Sequence, residues 1–430
     1  MLDRETFAAW ILAFGLLLAA LGSLRDVVTP LGYWALWAAW GLGALGASQW
    51  TGPSDVRQSS PPAWVWGSFV TLILGMLLSG WANHSAVTVY QAAKIGVIGL
   101  CCWIAWRLAA VVEWRLRVPV LQGVVAAVVL VFLASKAAPA GYYLDLGSAG
   151  REGSFLAWPG VIWKAGAFFM PLCLAAMVTH PGRWIANGLA VAGCVFLVVV
   201  DGSRTGLLVV GLTVLAFGVL LVWRRDWRSL SAARRALILC VPALFGLLVL
   251  STGVGYLSHG SAVGFGGAPV AMSGTAKSTA EALVEAAVDP VASTRLGQGD
   301  PQRMRLLRNG IEQSVDCLPL GCGFGSTALD PGYGVAMHVH NAYLAALADF
   351  GVLGLAGMLG LIIAAALPLW RVLRDPKGYD AGEMYCVVAS AGAALAYLGA
   401  LMLHTFSSEM SEWGYLILML AFAWRAPVQC

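Results

Sequence analysis

Two histidines stand two residues apart in His338-Val339-His340-Asn341, directly ahead of a long apolar run that begins at Ala342. That arrangement can do acid–base chemistry. The first turn of a helix exposes unpaired N–H groups and roughly half a unit of positive charge. An imidazolium is disfavoured there, so the ring stays neutral and can take a proton near pH 7. An anion such as a diphosphate is favoured at the same place. Asn341 suits the N-cap, because its side-chain oxygen can accept from the turn that follows. The plainer reading is a histidine bonded to loop backbone beside an ordinary cap. Residue type leaves both readings open, and it leaves open whether His338 or His340 is the base.

Cations that could meet an anion there occur in three places. Asp201-Gly202-Ser203-Arg204 is a tight junction between two apolar runs. Ionisable residues at such a depth are functional candidates, and the planar fork of Arg204 suits phosphate oxygens. The alternative is an Asp201–Arg204 pair that merely caps the turn. A second group is Arg303, Arg305 and Arg308. Asp300-Pro301 makes a good helix start, an acid followed by a first-turn proline, and predicts an amphipathic helix over 301–315. Leu306, Leu307, Gly310 and Ile311 share one face of it, and Arg305, Arg308 and Glu312 another. Arg308 and Glu312 are spaced for an i,i+4 pair, which leaves Arg303 the freer phosphate ligand. Third, Lys94 and Lys164 fall inside apolar runs. Lys164 lies about one turn inside the outer end of its helix and can snorkel outward. Lys94 either does the same or lines a cavity. Glu409 and Glu412 lie beside His404 in a short outer loop, either helping to bind the acceptor or to position the base, or standing as solvated loop acids. His84, His180 and His259 show no partner pattern, and no spacing suggests a metal site.

The elements that must position these residues are dictated by composition. The chain has 430 residues, 59% hydrophobic and 11% charged. A soluble protein carries roughly 25% charged residues, so lipid must solvate most of this one. The expected fold is an all-α polytopic membrane protein. It has about twelve transmembrane helices and one large, partly helical periplasmic loop between helices nine and ten. The apolar windows are 7–23, 31–49, 63–81, 88–108, 118–136, 158–178, 183–200, 205–223, 236–255, 343–369, 381–403 and 411–427. They divide the chain into helices 1–9 (1–255), a loop region (256–341) and helices 10–12 (342–430). The N-terminal run reads as a first span rather than a cleaved signal. Net charge is only +4, which says nothing about nucleic acid, and no basic tail or aromatic–basic alternation suggests it, so no nucleic-acid partner is expected.

Arginine placement orients the bundle. Arg107, Arg115, Arg117, Arg183, the Arg224–Arg235 cluster, Arg371, Arg374 and Lys377 fall on one side, the long loop and the histidines on the other. Tryptophans at span ends, among them Trp81 and Trp184, fit interfacial positions. The helix from Ala342 to about Trp370 would run about 42 Å against a hydrocarbon core of roughly 30 Å. It must project outward or bend at Gly351. Cys101, Cys102, Cys173, Cys194, Cys240 and Cys386 lie in apolar runs as small hydrophobes. Cys317 and Cys322 alone share the oxidising side, where a bridge is open to them.

Assembled, these features resemble the O-antigen ligase family of the ligase–polymerase superfamily. The resemblance rests on His340-Asn341 followed, nine residues on, by Gly351-Val352-Leu353-Gly354. It also rests on Pro319-Leu320-Gly321-Cys322-Gly323 behind an arginine-led helix, and on Ser203-Arg204 at a span junction. The aromatic residue that the family carries on the loop helix is missing near Leu307, so which arginine is equivalent stays open. The resemblance implies a donor polysaccharide on undecaprenyl diphosphate and an acceptor hydroxyl of lipid A-core. It implies transfer at the bacterial inner membrane, among membrane lipids, with no cofactor and no metal. His338 or His340 would be the base. Arg204, with Arg303, Arg305 or Arg308, would bind diphosphate. Asn341, Asp201, Lys94, Lys164 and Glu409 would support them.

Two relatives share this description in part. An O-antigen polymerase tends to carry two comparable outer loops, where one dominates here. A protein O-oligosaccharyltransferase usually extends further beyond its last span. A transporter is the reading from another class. Transporter sites lie near the bilayer midplane on broken helices within inverted repeats, and no clear repeat is seen.

Overall fold

A computed structural model describes residues 4–49, 63–112, 114–137, 154, 160–201, 203–223, 301–330, 336–375, 379 and 381–424. These form α1 (Arg4–Ala20), α2 (Leu24–Gln49), α3 (Ala63–Ala82), α4 (Ala86–Val111), α5 (Trp114–Ala137) and α6 (Ile162–Thr179). They continue with α7 (Trp184–Asp201), α8 (Arg204–Trp223), α9 (Pro301–Asp316), α10 (Ala342–Arg374), α11 (Ala381–Ala400) and α12 (Met410–Ala423). Among the described residues no strand forms beyond one bridge between Leu329 and Met337. Among the described residues, seven helices, α3 to α7, α10 and α11, are long and apolar enough to cross a membrane; 5–20, 205–221 and 412–423 are shorter apolar stretches. The protein is therefore an all-α polytopic membrane protein. The window 236–255, the Arg224–Arg235 cluster and the loop over 256–300 lie outside the described residues.

Burial sorts the helices by position. Every residue of α6 from Ile162 to Met177 is buried, as is every residue of α12 from Trp413 to Ala423. Helices apolar on all sides belong at the centre. Around them, α3, α4, α5 and α7 bury one stripe and expose another that is equally apolar, such as Leu74 and Trp81 on α3 or Ile185 and Leu189 on α7. Only a lipid surround makes that outer stripe stable.

The tightest seam joins α3 to α10. A Cβ added at Gly75 would lie 2.6 Å from the Gly354 nitrogen, and one at Gly357 would lie 2.6 Å from Leu72. Without a hydrophobic drive between helices in lipid, small residues that let backbones approach are what hold such a seam.

The two ends of the bundle differ. Asn83, at the end of α3, reaches the loop that carries the histidines, while Trp64 at its start packs 5.6 Å from Trp424. Arg371 lies over that Trp424 ring at 4.7 Å. Arg107, Arg371 and Arg374 thus gather away from the histidines, as the charge bias predicts. Arg117 departs from that picture. It is fully buried and donates to the carbonyls of Ala109 and Val112, closing the C-terminus of α4. The unpaired carbonyls of a helix end attract a cation, so this arginine is a cap rather than a solvated loop charge.

Replacing Gly357 with leucine should cost about 1–3 kcal/mol by overpacking the seam. Thermal unfolding of the purified variant in detergent checks this, and an unchanged melting temperature would count against the packing described.

Candidate active site

The site begins with a defect. α10 breaks at Gly351, whose φ of 71° and ψ of −162° are not helical. Of the two expectations for this overlong helix, bending is the one realised. The break leaves backbone groups without helical partners, and in apolar surroundings each costs several kcal/mol unless bonded. The preceding loop supplies the partners. Cys322 N–H donates to the Ala348 carbonyl at 2.9 Å, Gly323 N–H to that of Asp349 at 2.9 Å, and Val352 N–H to that of Pro319 at 3.0 Å. A side chain at Gly351 would run into the Pro319 carbonyl, so glycine is required both for its positive φ and for the close approach.

Other helices hold the plug in place. Ser79 donates to the Asp349 carbonyl at 2.6 Å and accepts from Gly323 N–H at 3.0 Å. Asn83 donates to the Gly321 carbonyl and Thr88 accepts from Phe324 N–H. A disulfide joins Cys317 to Cys322 across the turn. Cys101, Cys102, Cys173, Cys194 and Cys386 are free and buried, as their apolar settings predict.

The histidines follow from this scaffold. Asn341 caps α10 as expected, its oxygen accepting from Tyr343 N–H and Leu344 N–H at 3.1 and 3.0 Å. His340 is half-buried, and its Nδ1 lies 3.2 Å from the His338 carbonyl oxygen. A carbonyl only accepts, so Nδ1 carries the hydrogen and the neutral ring keeps its lone pair on Nε2. His338 packs against the Phe324 ring at 6.0 Å and interacts electrostatically with the carboxylate of Asp349. Asp349 is buried on α10 and accepts from Gly325 N–H, Ser326 N–H and the Ser326 hydroxyl. It ties the His338-bearing loop to the helix break.

The sequence reading missed Asp349. Its available signal was a carboxylate in an apolar run two residues before the glycine of the break.

The cations divide. Lys94 pairs with Glu409, which also takes Arg25 at 3.1 Å, and Lys164 pairs with Glu412. Lys164 is 4% exposed, so it does not snorkel outward. Glu409 and Glu412 are not solvated loop acids: they clamp the connection between α11 and α12 onto α2, α4 and α6. Asp201 is fully buried and accepts from Gly160 N–H at 2.8 Å and Trp163 N–H at 3.2 Å, serving the start of α6. Arg308 pairs with Glu312 at 2.9 Å and is exposed, the i,i+4 outcome. Arg305 is exposed on the same helix. Arg204 opens α8 and Arg303 lies in the first turn of α9; the side chains of both lie outside the described residues. Of the four residues expected to share one face of α9, Leu306 and Gly310 are buried, Leu307 is half-buried and Ile311 is exposed. Among the described residues no group of three histidine, cysteine or acidic side chains could hold a metal ion.

Residues 189–359 match the family model described as O-antigen ligase. That stretch, under half of the chain, is similar to the O-antigen ligase family. The matched stretch includes Asp201, Arg204, Arg303, Arg305, Arg308, both histidines, Asn341 and the glycines of the break; Lys94, Lys164 and Glu409 lie outside it. No curated protein matches the chain.

Two substitutions test this architecture. Gly351→Ala should expel the plug, and limited proteolysis should then cut 317–330 several-fold faster than in the parent; equal rates would contradict the docking. Glu412→Ala leaves a buried ammonium unpaired and should cost about 3–5 kcal/mol. Glu412→Ala combined with Lys164→Met should recover most of that loss in thermal unfolding.

Proposed function

We propose that the protein is an O-antigen ligase. It moves a polysaccharide from undecaprenyl diphosphate to a sugar hydroxyl of lipid A-core at the periplasmic face of a bacterial inner membrane. The observation that carries this reading is the hydrogen bond from His340 Nδ1 to the His338 carbonyl. It presents Nε2 as a lone-pair base beside the start of α10. The acceptor hydroxyl gives its proton to that nitrogen, and its oxygen attacks the anomeric carbon. The bond from that carbon to the diphosphate oxygen breaks, undecaprenyl diphosphate leaves, and the configuration inverts. Arg204, with Arg303, Arg305 or Arg308, offsets the growing charge on the leaving group. Asn341 holds the first turn of α10, and Asp349 with the plug holds the histidines.

The compartment follows from two supports. Disulfides persist in oxidising surroundings, and Cys317–Cys322 lies at the histidine end. The arginines Arg107, Arg371 and Arg374 collect at the opposite end, as cytoplasmic loops do. A diphosphate is already a good leaving group, so the reaction needs no nucleotide.

Purified protein in proteoliposomes, given lipid-linked polysaccharide and lipid A-core, should form ligated product and should do so in excess EDTA. His340→Ala should lower kcat by about 10²–10⁴-fold, the range for losing a general base. Full activity in both His340→Ala and His338→Ala would refute histidine as the base. Elongation of lipid-linked saccharide without transfer to lipid A-core would identify a polymerase instead.

A further inference from the structure

Helix α9 carries more apolar surface than the bundle covers. Leu306, Gly310, Ser314 and Cys317 are buried beneath it. Beside that row run Ile311, Val315 and Leu318, which are 51%, 64% and 48% exposed. Ile311 and Val315, four residues apart, share one line on the helix, and Leu318 follows in the turn just past its end at Asp316. The next strip round is polar and exposed, with Arg305, Arg308, Glu312 and Asp316. The helix therefore has three surfaces: one against protein, one apolar and open, one charged.

The open apolar line does not run out into solvent. Pro319 and Leu320 abut Gly351 at the break in α10, and the next residue, Val352, is itself half exposed on the outer stripe of that helix. Asn83 bonds the same turn to the end of α3, where Trp81 is exposed. The line is thus continuous with the lipid-facing surface of the spanning helices. Depth agrees. From Arg371 to Gly351 is twenty residues of helix, about 30 Å, the thickness of a hydrocarbon core. With the arginines at one boundary, the break and the plug docked in it fall at the other.

We infer that α9 is an interfacial helix. Its Ile311, Val315 and Leu318 line rests among phospholipid acyl chains of the leaflet at the histidine end. Its charged strip, Arg305, Arg308, Glu312 and Asp316, turns to the headgroup layer and water, where the arginines meet the lipid phosphates. This is the geometry of an amphipathic helix lying in a membrane surface. The inference needs only that the chain sits in a bilayer, and it stands whether or not the transfer reaction does.

The test places the photoreactive residue p-benzoylphenylalanine at position 315. The full chain is reconstituted in vesicles of phosphatidylethanolamine and phosphatidylglycerol, irradiated, and read by intact-mass spectrometry. An adduct of one phospholipid is expected, and several-fold less of it when the same group replaces Glu312. The variant at position 311 provides the same reading should the first not fold. Hydroxyl-radical footprinting of the unaltered protein in those vesicles should find Val315 protected and Glu312 oxidised. Crosslinks from position 315 into residues 224–300 of the same chain would overturn the inference. So would oxidation of Val315 equal to that of Glu312.

Discussion

Every backbone N–H and C=O at membrane depth must find a partner within the protein. α10 violates helical continuity at Gly351, and the molecule meets the resulting need from an external loop. Three backbone bonds from the Pro319–Gly323 turn stand in for the helical ones. The turn in turn is fixed by Ser79, Asn83 and Thr88 from α3 and α4. The first nine residues of α10, with the histidines before them, therefore take their direction from the plug rather than from the long helix behind it. Loss of one bond in this set exposes a polar group to an apolar setting, so the arrangement should be all-or-none.

Charge is handled in the same spirit. Lys164, deep in the bundle, is compensated by Glu412 at the head of the central helix α12, and Lys94 by Glu409. Such pairs add little net stability, since desolvation offsets much of the attraction. Their effect is positional: the link between α11 and α12 is tied to α2, α4 and α6. The arginines of α9 are different. Arg305 and Arg308 are exposed, and Arg308 pairs with Glu312 on its own helix, so these charges stand at the surface of the protein.

Much of this was legible in the sequence because lipid imposes simple rules. Apolar length located α3 to α7, α10 and α11, and the excess length of the run from Ala342 pointed to Gly351. Asn341 as a cap and the Arg308–Glu312 pair followed from local spacing, while the same spacing left the cysteine bridge open. What was not legible depended on contacts between distant segments. Nothing near Lys164 in sequence announces Glu412, and nothing near Asp349 announces Ser326. Arg117 is a different case: the carbonyls it caps, Ala109 and Val112, lie only eight and five residues before it, yet an arginine after an apolar run reads equally well as a loop charge. Ile311 parts from Leu306 and Gly310 because an amphipathic pattern cannot tell an apolar strip covered by protein from one left open.

The partners of the plug have a consequence for how this protein can be divided. Ser79, Asn83 and Thr88 lie more than a hundred residues before the stretch that matches the family model. The recognisable motif and the physical unit are therefore different objects. A chimaera that exchanges residues 189–359 with those of a relative would carry over the histidines but leave their anchorage behind. The boundaries along which such a protein can be recombined run between helix faces, not between stretches of sequence.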